Sequence, residues 1–252
     1  MSGDPTSMTF WEHLDQLRSC LIRIAVVAGV AAAAAFCLKD LLFSVALAPC
    51  GGDFITYRII GAEPIDISLM NTKITEQFMV HLRTALYAGV MVASPYILYE
   101  VFHFVAPALY ASERRYGARV VGAAFVMFAI GTLVNYFVVF PLTLRFLGTY
   151  QVSPSVDNML TIGSYMDTLL SMNLWLGIMF ELPVVAWLMA ALGMMRSEWM
   201  AAYRRQALVA ILIAAAIITP TTDAVTLIVV ALPIWLLYEA SIVVVRITCG
   251  KQ

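Results

Sequence analysis

Three stretches of this chain carry side chains whose type and setting could do chemistry. FWEHLDQLR, residues 10–18, brings Glu12, Asp15 and the polar Gln16 beside Arg18, directly ahead of a long apolar run. ASERR, residues 111–115, places Glu113 next to Arg114 and Arg115. WLGIMFELPVV sets Glu181 near the middle of a strongly apolar segment, two residues before Pro183. A carboxylate holds an arginine guanidinium in a two-pronged, charge-assisted grip that lysine cannot reproduce. An acid at mid-membrane costs on the order of 2.5–3.5 kcal/mol and marks a partner or substrate site by default. For Glu181 a plainer reading also fits: a protonated carboxyl that satisfies the Met179 carbonyl freed by Pro183, where the helix should kink.

Other chemistries find no support. There is no GxSG, no HExxH and no GxxxxGK[ST] phosphate loop, so nothing points to an enzyme. His13, His81 and His103 fall in separate segments, and Cys20, Cys37, Cys50 and Cys249 lack CxxC spacing. No metal or cofactor is therefore expected, and Cys50 has no evident disulfide partner. A net charge of −1 leaves no basic face for phosphate, which argues against nucleic acid as partner.

The elements that must position these residues lie in a membrane. Of the 252 residues, 62% are hydrophobic and 12% charged, against about 25% charged in an average domain. Runs of about 20 apolar residues recur, the length that crosses ~30 Å of hydrocarbon. The pattern predicts one polytopic domain over 1–252, with an interfacial helix at about 8–19. Spans follow at about 20–38, 78–99, 119–141, 165–192, 207–219 and 224–245, and the region between the first two reads as a polar stretch to about residue 75. The first run is longer than a signal-peptide core and follows an acidic leader, so it reads as a retained helix. Phe10, Leu14, Leu17 and Leu21 make one apolar stripe, leaving Glu12, Asp15 and Gln16 off it. Both a solvated face and a docking face fit that arrangement.

The last two spans are short. Residues 207–219 rise only about 20 Å as a helix, and PTTD at 220–223 breaks the pattern. A tight hairpin below the outer surface and a re-entrant pair both fit, and both leave Asp223 at a membrane boundary, where a solvated turn is its simplest role. Arg83, seven residues after Glu76, and Glu239 near the inner end of the last span read as snorkelling side chains. Ser112 can cap the next helix, with Glu113 in its first turn. With the amino terminus inside, ten Lys or Arg residues fall on inner segments and four on outer ones, which places both termini in the cytoplasm.

Together these stretches resemble the TatC family, the receptor subunit of the twin-arginine protein translocase. FWEHLDQLR is similar to the family's HLxELR motif, and SPYILYEVFHFVAPALYASERR, residues 94–115, to its first cytoplasmic loop. FELPV at 180–184 and TPTTDAVTLIVVALPIWLLYE at 219–239 resemble its later spans, and the order is kept along nearly the whole chain. The resemblance implies an all-α integral membrane protein of six helices in a curved, glove-like arrangement. It implies a receptor that binds paired-arginine signal peptides of folded cargo at the cytoplasmic face of the cell inner membrane. TatA-type or TatB-type single-span subunits join it in an oligomeric complex driven by the proton-motive force. Glu113 and Phe104 match loop positions of the signal site, Glu181 the acid of the concave face, and Pro49 and Asp223 outer-side positions. In one departure, Gln16 stands where the family has glutamate, with Asp15 one residue earlier and about 100° around the helix. Two alternatives stay open on the residues alone: a small solute or ion transporter using Glu181 and Arg83 as a coupled pair, and an assembly factor that reads no signal.

Overall fold

α1 runs without a break from Phe10 to Cys37, so the interfacial stretch and the first span are one helix rather than two. No proline interrupts residues 10–37, and the alanine run at 31–35 favours helix strongly. The computed structural model describes residues 10–61, 68–105, 117–150, 153, 159–219 and 223–249.

The expected polar stretch contains structure of its own. α2 (Lys39–Leu47) ends in a tight turn at Ala48–Cys50, and α3 (Ile55–Ile60) closes on Gly61 in the left-handed conformation that glycine takes without strain. β1 (Leu69–Met70) then pairs in parallel with β2 (Leu160–Thr161), joining two outer segments that are far apart in sequence. α4 (Glu76–Val105) is the second long helix, and α5 (Gly117–Thr149) the third, with a π-helical turn at Asn135–Val139. α6 (Ile162–Met179) and α7 (Leu182–Ala191) form the fourth crossing, separated by a break at Phe180–Glu181. After α8 (Ser197–Ala202) come α9 (Arg204–Ile218) and α10 (Ala224–Cys249).

Five helical segments are long and apolar enough to cross a membrane: α1, α4, α5, α6 with α7, and α10. α9 has 15 residues, about 22 Å. α10 continues past the expected 224–245 to Cys249, so α9 alone of the last two falls below bilayer length.

The interior lies among α5, α6, α9 and α10, where Phe140, Met166, Met172, Leu176 and Ile234 are fully buried. Pro95 and Pro141 each free a carbonyl four residues back that accepts a side-chain hydroxyl instead, and Val45 O, four residues before Pro49, takes a hydroxyl in addition to the Ala48 N–H. Tyr136 donates to Val45 O behind Pro49, Ser94 to Met91 O behind Pro95, and Thr56 to Phe137 O behind Pro141.

Candidate functional site

FWEHLDQLR and the described part of the 94–115 stretch, residues 94–105, meet along one seam. α1 lies antiparallel against α4, and four rungs define the pairing. At the inner end the His13 ring stacks on Phe104, centroids 4.4 Å apart. Next, Arg23 grips Glu100 with Nε and Nη2 donating to its two carboxylate oxygens at 3.0 and 2.8 Å, while the Tyr96 hydroxyl donates to Oε1 at 2.6 Å. Further out, a side chain on Gly89 would come within 2.6 Å of Ala32 Cα, so only glycine allows that backbone approach. At the outer end the Phe36 and His81 rings stack at 4.0 Å.

The seam separates two neighbouring polar residues. Gln16 is half-buried and its Oε1 has no partner among the described residues, whereas Asp15 stands exposed. Leu14 and Leu21 of the expected apolar stripe are exposed, turned away from the protein core. Phe104 joins the motif stretches through His13, but Glu113 and Ser112 lie outside the described residues. Sequence reading passed over Glu100, which is 6% exposed and is the buried acid of this face. Its signal was available: an acid four residues before Phe104 on a span, with Arg23 as an equally misplaced base on the first span.

Glu181 sits at the break between α6 and α7, half-buried, with Pro183 in the first turn that follows. Its side chain makes no hydrogen bond among the described residues, and Oε1 is buried. It does not satisfy the Met179 carbonyl freed by Pro183, which removes the plainer reading of this acid. The helix breaks there, rather than kinking as expected.

Pro49 and Asp223 sit beside helix ends. Pro49 is buried in the turn after α2, where its carbonyl accepts from the Tyr57 hydroxyl at 3.0 Å, and Tyr165 ties down the neighbouring Ala46 carbonyl at 2.8 Å. Burial pushes the Tyr57 hydroxyl up to about 12 and raises the thiol of Cys50 beside it. Asp223 Oδ1 accepts from Thr226 N at 2.7 Å, holding the start of α10, so it is a helix cap at the hairpin rather than only a solvated turn. Arg83 is not a lone snorkelling residue: its Nη1 meets both oxygens of Asp167 on α6 at 2.6 and 2.9 Å. Glu239 likewise pairs with Arg204 at 2.9 Å across α9 and α10. Among the described residues no group of histidines, cysteines and acids is placed to hold a metal.

The comparisons with known proteins agree with one another. A family model described as Sec-independent protein translocase protein (TatC) matches residues 12–233. The chain belongs to the TatC family. It is 34% identical to the TatC protein of Desulforapulum autotrophicum over 252 residues, covering all of this chain and 89% of the relative. Against the TatC protein of Koribacter versatilis identity is 36%, with 93% and 84% covered. A crystal structure titled as the twin-arginine translocase receptor TatC superposes with a TM-score of 0.79 at 29% identity, over 94% of this chain and 99% of that one. The predominantly helical, multi-pass architecture is thus the TatC fold, and the α1–α4 seam and the α6–α7 break are features of a TatC-family chain.

Proposed function

We propose that this chain is the receptor and core subunit of a twin-arginine protein translocase, binding paired-arginine signal peptides at the cytoplasmic face. The observation that carries the reading is the His13–Phe104 stack, which puts FWEHLDQLR against the inner end of the 94–115 stretch. Exposed Asp15 and the carboxylate of Glu113 are the groups that grip the arginines, with Gln16 and Phe104 lining the same end of the seam. Glu181, an unpartnered carboxyl at a helix break in the fourth crossing, is the contact for TatA-type or TatB-type single-span subunits in an oligomeric complex. The protein works in the cell inner membrane with both termini cytoplasmic, draws on the proton-motive force, and needs no catalytic group or cofactor.

The transporter reading loses its main support. Arg83 is committed to Asp167, which lies 14 residues before Glu181 on the fourth crossing, about 21 Å along a helix. A coupled Glu181–Arg83 pair is therefore not formed.

The test is photocrosslinking from position 113 to a synthetic signal peptide carrying paired arginines, then paired lysines. A crosslink confined to the arginine peptide is expected. Equal crosslinking with both, or none with either, would overturn the receptor reading.

A further inference from the structure

α1 is held to the rest of the molecule along one seam. Apart from its short contact with α2, its main partner is α4, and Leu21, Ile22, Val26 and Val30 face outward. A helix held along one seam is free to roll about its own axis unless something on the seam fixes the angle. In the outer half the Gly89–Ala32 approach and the Phe36–His81 stack do so. In the inner half the described polar contacts centre on Glu100: Arg23 grips it, nine residues from Ala32 and ten from His13, and the buried thiol of Cys20 lies beside it.

That pair is built to fix an angle. Two parallel N–H···O bonds define the plane of the guanidinium against the carboxylate, which a single hydrogen bond does not. The Tyr96 hydroxyl, one turn before Glu100 on the same helix, holds Oε1 from the other side. Glu100 is almost fully buried, so its charge stays there only while Arg23 answers it. Gln16 lies seven residues before Arg23, two turns along the helix, and so shares its side of α1. Rolling α1 by one residue position, about 100°, would break the pair and exchange the places of Asp15 and Gln16.

We propose that Arg23 and Glu100 are positioning residues for the signal dock: their ion pair sets the roll of α1 and thereby decides that Asp15, not Gln16, faces the cytoplasm. The inference rests on the receptor reading for what Asp15 then binds. It also accounts for how the chain does without the family's glutamate at position 16, since the neighbouring acid is presented instead.

The test separates roll from binding. The protein in membranes, with Cys37, Cys50 and Cys249 replaced by alanine and the buried Cys20 beside Glu100 replaced by serine, carries H13C and F104C, and the disulfide yield on mild oxidation reports the roll with no peptide present. E100Q keeps the shape and the Tyr96 contact but loses the charge, and is expected to lower the yield about tenfold. R23E combined with E100R is expected to restore it. A second series keeps His13 and Phe104 and carries a photoreactive side chain at position 15; its crosslink to a paired-arginine peptide should fall in E100Q and recover in the exchanged pair. Unchanged disulfide yield in folded E100Q overturns the proposal. So does a loss of yield, or of folded protein, that the exchange does not repair. If the disulfide series behaves as expected while the unaltered chain binds no peptide, the receptor reading falls and the roll lock stands.

Discussion

At the residue scale, neighbouring positions on one helix have opposite surroundings. Asp15 is exposed and Gln16 is half-buried against α4 with an unpartnered carbonyl oxygen. On the receptor reading, Q16E should leave binding of a paired-arginine peptide unchanged or improve it, measured by fluorescence titration. A sharp loss of affinity would contradict this. The outer side offers a residue-scale pH test in Tyr57, whose hydroxyl rises from 10.0 to about 12 because burial disfavours the phenolate. As pH climbs between those values, the unfolded chain sheds this proton while the folded chain keeps it. Stability is therefore expected to fall through that window and level off above it. An ultraviolet titration of tyrosinate, comparing the unaltered chain with Y57F, checks this; ionisation of Tyr57 at its ordinary value in folded protein would contradict it.

At the element scale, prolines and glycines shape the spans. Pro95 and Pro141 free carbonyls that the Ser94 and Thr56 hydroxyls satisfy, and the Tyr136 hydroxyl adds a second donor to Val45 O ahead of Pro49. At Pro183 no hydroxyl is supplied among the described residues, and the helix breaks beside Glu181, which has no hydrogen-bond partner among them. Glu181 is thus no repair of the freed carbonyl, and on the receptor reading it is left for a partner. Gly89 marks the closest approach of α1 to α4. G89V should push the helices apart and cost about 1–3 kcal/mol or more, since the atoms it meets are backbone and cannot yield. A thermal unfolding midpoint unchanged in detergent would argue that the seam is looser than described. Composition alone could expose neither point: a proline signals a missing bond, but the hydroxyl that answers it comes from up to 81 residues away.

At the scale of the whole molecule, six crossings return the chain to its starting side only if α9 crosses. At about 22 Å it is shorter than ~30 Å of hydrocarbon. The membrane must thin around α9, or water must reach its ends. In nanodiscs of increasing acyl-chain length the unfolding midpoint is expected to decline, because mismatch at one span is carried by its packing against α10. A midpoint independent of thickness would mean that α9 does not match a crossing of this kind.

The sequence by itself determined the class of molecule and the approximate location of the spans, because hydrocarbon thickness imposes a length and an apolar composition that any reader can measure. It also carried the family resemblance, since ordered motifs survive in one dimension. It did not determine that α1 is a single helix, that α2, α3 and a parallel strand pair occupy the outer stretch, or that Arg83 belongs to Asp167. It passed over the Arg23–Glu100 pair altogether. The tertiary structure decided these, for one physical reason. A charge or a freed carbonyl is costly until a partner is found, and the partners of Arg23, Arg83 and Phe137 O lie 77, 84 and 81 residues away along the chain.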